Sequence, residues 1–496
     1  MAPQSVTHSQ SVAAFIPELE LLIAEAMDEW KIPGLAITVV QNGQVALVRA
    51  YGLRDVEAGL KVTTDTQFLI GSITKSFTST GLALLVDERL LDWKKPVREY
   101  IPEFRLHDAV ATDRVTVCDL LCHHSGLPRH DWIWVPGDLS PAQMLAAMRY
   151  LEPSDDIRSA VSGQSWTEFT GVRLTDKLHM NVTFTVEDLA AAADAAVPYA
   201  MDADTRLRAK RWPIRVQAAG SINTSVASFA NWLRLHLDKG AFAGQRLLSA
   251  ALIQQLQTPR VHEAAPAFAE YGDLHCGLGF RLLGYRGERV VLHGGGWIGW
   301  GTRMAMLPDH GVGVAVFTNR DPSAVPEMLA NYVFDRVCGK EPIPWLDRYR
   351  ELRRKSLAQL DVDRQARKAT RRLNTRPSHD LADYAGDYDH PGYGRITITH
   401  AEGQLNWAYR GMSEPLAHRH YDTFELPEPA GGQSLVAALL PDRLAISFST
   451  DRDGNIASVA APFEPLVKDI VFTRVCVRCA IPIKCAAGGP GIGGPR

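Results

Sequence analysis

A chain of 496 residues is too long for one ordinary core, so two or more domains are expected, one of them burying a large apolar interior. Hydrophobic residues at 46% and charged residues at 22% fit a folded protein and exclude a disordered or fibrous one. A formal net charge of -3 gives no overall attraction to nucleic acid or an anionic membrane, so partners must be argued from local sites.

Met1 to Val12 is polar and lacks the basic-then-apolar order of a secretory signal. Nowhere does the chain reach the roughly 18 uninterrupted apolar residues of a membrane helix. Seven scattered cysteines, with Cys118, Cys122, Cys276 and Cys338 inside structured segments, read as reduced thiols, and the expected location is cytoplasmic.

Phe15 to Trp30 places Leu19, Leu22, Ile23, Ala26 and Trp30 near a helical period and predicts an amphipathic helix. Two β-prone runs follow, Leu35 to Val40 and Val45 to Ala50, joined through Asn42-Gly43, a pair suited to a tight turn. From Ser72 a helical pattern runs through Leu82, Leu85, Val86 and Leu90 and ends before Pro96, with mixed helical segments to about residue 258. Arg289 to Leu292, Thr302 to Leu307 and Val312 to Thr318 read as strands returning to the first hairpin's sheet, with turns at Gly294 to Gly299 and Pro308 to Gly311. Residues 341–378 are rich in Arg and Asp and predict a charged helical linker. Alternation at Arg395 to Thr399 and Leu405 to Tyr409, and a turn at Asp451 to Gly454, predict an all-β domain over 379–474, a small barrel. The Gly-, Ala- and Pro-rich residues 475–496 predict a disordered tail.

The chemistry concentrates in three blocks. Phe68-Leu69-Ile70-Gly71-Ser72-Ile73-Thr74-Lys75 puts a serine at a helix start and a lysine three positions on, so both side chains share one face. A serine hydroxyl is a weak nucleophile until a base removes its proton, and a lysine whose pKa is lowered by burial can do so. A Ser-x-x-Lys string alone is common by chance. Its lead-in and the long helix after it resemble the serine β-lactamase and penicillin-binding-protein-like hydrolases, whose nucleophile box has this form.

Leu120-Leu121-Cys122-His123-His124-Ser125-Gly126-Leu127-Pro128 is similar to a second signature of that family, and a buried His123 holding a loop is expected there. His293-Gly294-Gly295, read at a strand end, resembles the family's Lys-Thr-Gly or His-x-Gly element, where glycines let a substrate backbone pair with the strand. A plain glycine-rich turn is the competing reading. The resemblance covers about Phe15 to Gly339, and Tyr384-x-Gly386-x-Tyr388 resembles the opening of a C-terminal domain appended to some family peptidases and esterases.

The family's Tyr-x-Asn or Tyr-x-Ser element is missing: none of the 13 tyrosines is followed two residues later by Asn or Ser. Its expected place is between Tyr150 and Gly163, and both flanks resemble the family, so a segment is inferred to be missing near residues 158–160, through exon skipping, a gene-model error or a real deletion.

The resemblance implies a β-lactamase/transpeptidase-like α/β (α+β) sandwich, an antiparallel sheet flanked by helices, over residues 1–340. It implies Ser72 and Lys75 as catalytic pair, His293, Gly294 and Gly295 as substrate-binding, and an acyl-serine intermediate without metal or organic cofactor. A small molecule or short peptide is the expected partner, with ester or amide cleavage expected rather than true β-lactamase work. The alternative is a catalytically impaired binding or scaffold protein. Cys476-x-x-Cys479 with Cys485 lacks a fourth metal ligand. Gly489 to Gly494 matches a dinucleotide pattern without strand or helix. The basic residues from Arg348 to Arg372 alternate with acids and lack stacking aromatics.

Overall fold

The computed structural model describes residues 10–126, 128–150, 164–202, 205–209, 211, 212, 214, 216–426 and 444–475. It divides into two compact units, the first running to Arg371 and the second beginning at Arg372.

The first unit is built on a nine-stranded antiparallel sheet. Its spatial order is 261–264, 274–276, 281–285, 288–297, 300–307, 312–318, 34–41, 44–55 and 60–61. The hairpin read from Asn42-Gly43 is present, and both turn residues have positive φ, 52° and 74°. Gly34–Gln41 lies between Gln44–Asp55 and Val312–Thr318, so the N-terminal hairpin and the late strands share one sheet.

The central strands read as near-continuous apolar runs because helices cover both faces. Leu35, Ile37 and Val39 point to one layer with Val312, Val314 and Val316, while Ala36, Ala315 and Phe317 point to the other. Ile16–Glu29 and Val325–Val337 close the first layer; Thr74–Asp87 and Val226–Leu237 close the second. Phe77 stacks on Trp232 with ring centroids 3.6 Å apart at 11°, which fixes the Ser72-bearing helix against its neighbour. Ser225 caps that neighbour by accepting the Ser228 N–H at 3.2 Å. Ser225→Ala is expected to cost about 1 kcal/mol in urea unfolding, with little change in activity.

Two readings are revised. The run Gly294 to Trp297 is strand rather than turn, because Glu288–Trp297 stays paired with Trp300–Leu307 to its last residue. The charged segment does form a helix, Trp345–Ala369, but its first turn buries Trp345, Leu346 and Tyr349 in the first unit's core. Periodicity there was masked by the charged residues between them.

The second unit is a closed eight-stranded antiparallel barrel among the described residues. Gly386–His390 pairs with Gly394–Ala401 on one side and with Ile470–Arg474 on the other, so no edge is left. Tyr388, Trp407, Phe424, Phe448 and Phe472 are buried in it. The expected gap near 158–160 and the tail cysteines Cys476, Cys479 and Cys485 lie outside the described residues.

Candidate active site

Phe68–Leu69 pairs with Asn223–Thr224, and the chain then makes a 3-10 turn at Gly71–Ile73 before the helix Thr74–Asp87. The turn gives Ser72 and Lys75 the same face: Lys75 Nζ lies 2.9 Å from Ser72 Oγ. A second N–H of the lysine donates to Ala219 O at 3.0 Å, from the short helix Gln217–Gly220. Burial lowers the Lys75 pKa to about 8, helped by the positive charges of Arg129 and Arg281 and opposed by Asp131. A neutral amine keeps one N–H on Ala219 O and can turn its lone pair to the serine hydroxyl.

The strand Glu288–Trp297 crosses in front of this turn. Its partner on one side, Arg281–Tyr285, ends opposite Leu292, so residues 293–297 extend past it along the cleft. Gly295 lies so close to Ile70 that any Cβ would overlap Ile70 O and Thr302 Oγ1. Thr302 Oγ1 stands 3.0 Å from Ile70 O and 3.1 Å from Gly295 O, tying strand to turn. Gly71, at φ 52°, faces the next residue: a Cβ on it would come within 3.0 Å of Gly296 N. His293 is buried, and its Nδ1–H donates to Gly294 O at 2.7 Å, which fixes the tautomer and leaves Nε2 as an acceptor. Burial, then the charge of Lys75, lowers its pKa to about 3, so the ring is neutral.

Ser72 and Lys75 are thus in contact, and His293, Gly294 and Gly295 lie on the strand that packs against their turn. His123 departs from its expectation. It is exposed rather than buried, at φ 56°, on a loop whose Leu121 O accepts the Gly279 N–H at 3.2 Å. Its pKa is lowered by desolvation and then by the charge of Lys75. Tyr150 is 46% exposed.

Sequence reading missed Asp321, as well as Ala219, Arg129, Asp131 and Arg281, which act on the lysine from distant segments; Arg129 pairs with Asp131 and Arg281 with Glu263. No motif marks them. Asp321 stands beside the strand: a Cβ on Gly296 would lie 3.6 Å from its Oδ1. Burial pushes its carboxyl up to about 7. A raised acid binds its proton more tightly when folded, so its contribution to stability is present below the usual carboxylate range and is lost as pH rises through about 7. Thermal melts from acid to neutral pH should show that decline, and Asp321→Asn should flatten it.

A model of the Beta-lactamase family matches residues 19–336, and a model described as a domain of unknown function (DUF3471) matches residues 370–474. The chain is 26% identical over 447 residues to the unguisins hydrolase ungD of Aspergillus violaceofuscus (strain CBS 115571), covering 78% of each. Among solved structures it resembles the octameric penicillin-binding protein homologue from Pyrococcus abyssi, with TM-score 0.58, 23% identity, and 92% and 99% of the two chains covered. A class C beta lactamase from Rhodobacter sphaeroides matches with TM-score 0.52 and 20% identity, over 64% of this chain and 97% of that one.

Proposed function

This chain belongs to the Beta-lactamase family, and on that premise we propose that it is a serine hydrolase that opens ester or amide bonds through an acyl-Ser72 intermediate. The observation that carries the reading is the 2.9 Å contact between Ser72 Oγ and a lysine whose pKa is lowered to about 8. At neutral pH about a tenth of such lysines are free amines, enough to serve as a general base.

Lys75 takes the hydroxyl proton as Ser72 Oγ bonds to the substrate carbonyl carbon. Backbone N–H groups at the helix start and at Gly296 face the developing oxyanion. The tetrahedral species collapses, the C–O or C–N bond breaks, and the proton held on Lys75 passes to the leaving group. Water then attacks the acyl-serine, returning the serine hydroxyl and releasing the acid. The buried His293 imidazole is uncharged at neutral pH.

The relative named an unguisins hydrolase supports hydrolysis as the reaction. Residues 293–297, which extend past Arg281–Tyr285, suit a peptide-like substrate, since a peptide backbone can pair along them. The test is reaction of the folded protein with a fluorescent fluorophosphonate, followed by mass spectrometry of the labelled peptide. Label on Ser72 is expected. Folded protein that takes no label, or takes it elsewhere, overturns the reading in favour of a binding protein.

A further inference from the structure

Beyond Gly296 the cleft turns aromatic. Trp297 and Trp134 stack with ring centroids 5.8 Å apart and planes 27° from parallel. Each ring is held by its own indole N–H: Trp134 Nε1 donates to Asp131 Oδ1 at 3.0 Å, and Trp297 Nε1 to Trp212 O at 3.2 Å. Asp131 is itself fixed, its Oδ2 standing 3.1 Å from Arg129 Nε. Neighbouring tryptophans serve the core: Trp132 is 1% exposed and Trp300 2%. Trp134, Trp297 and Trp212 are each only half-buried.

Trp297 packs one part of its ring against the core and leaves another exposed. Half-exposed indoles locked by hydrogen bonds have lost their rotamer freedom before any ligand arrives, a property that suits a binding surface. The strand runs from His293 through Gly296, against Gly71, to Trp297, so the pair lies at the end of the strand that crosses the Ser72 turn.

We propose that the stacked pair Trp134 and Trp297 is a specificity shelf that binds a bulky apolar, preferably aromatic, side chain of the substrate. This inference rests on the acyl-Ser72 reading for the shelf's use in turnover, but binding to the shelf needs no turnover. It makes the substrate one that carries a phenylalanine-like group, and it makes small side chains poor ligands.

The experiment is equilibrium binding of Nα-acetyl-phenylalanine amide and Nα-acetyl-alanine amide to the full chain, followed by ligand-observed NMR, with fluorophosphonate labelling of Ser72 read in parallel. The phenylalanine ligand is expected to bind roughly tenfold tighter, as one buried aromatic ring allows. Trp297→Ala and, separately, Trp134→Ala should collapse that preference. Equal affinity in the unchanged protein, or a preference that survives in both folded variants, overturns the shelf whether or not Ser72 takes label. Loss of label with the preference intact overturns the hydrolase reading alone.

Discussion

Lys75→Ala is expected to lower the rate of Ser72 acylation by about 10²–10⁴-fold, the usual contribution of a positioned general base. The loss should appear in probe labelling as well as in turnover, since both need the same deprotonated hydroxyl. Lys75→Arg should fall as far, because a guanidinium keeps the charge but supplies no lone pair near neutrality. In the unchanged protein the acylation rate should climb with pH and level off above about 8, following the fraction of neutral Lys75. The direction follows from burial and the neighbouring cations: all disfavour the ammonium, so the base appears earlier on raising the pH than for a free lysine. A profile flat across neutral pH, or a lysine variant that labels as fast as the parent, would remove Lys75 from the mechanism.

Gly295→Ala should cost nearly as much without touching a reacting group. A methyl at this position would overlap Ile70 O and Thr302 Oγ1, so the strand must retreat from the Ser72 turn. Overpacking of this kind costs about 1–3 kcal/mol in stability. Displacing a substrate-positioning strand by about 1 Å costs about 10²-fold in rate. Gly294→Ala is the control, since its Cβ would meet nothing nearer than Thr302 O at 3.9 Å. Melting curves and acylation rates of the two variants should separate clearly; equal behaviour would mean that the close approach does not govern the site.

Local pattern carried much of the protein. Asn42-Gly43 marked its hairpin because the turn needs two positive-φ residues, and few pairs supply them. The Ser72–Lys75 relation was legible because three residues along a helical turn bring side chains to one face, whatever the rest of the chain does. Barrel strands showed by alternation at Arg395 to Thr399 and Leu405 to Tyr409, where one face is buried and the other is wet.

What the sequence obscured depends on partners distant along the chain. A glycine run reads as a turn by composition, and it is strand here because Trp300–Leu307 pairs with it, while Ile70 leaves no room for a side chain at Gly295. His123 belonged to a recognisable block, yet its exposure follows from how the loop after Leu121 meets Gly279. Ala219 is an unremarkable alanine until folding brings its carbonyl to Lys75, 144 residues away. Sequence thus determined the local devices, the turn, the shared helical face and the alternating strands, whose causes span a few residues. Tertiary structure alone decided the lysine's lowered pKa, the strand's close approach at Gly295 and the stacked tryptophans, because desolvation, steric exclusion and ring packing are set by atoms that meet only when distant segments come together.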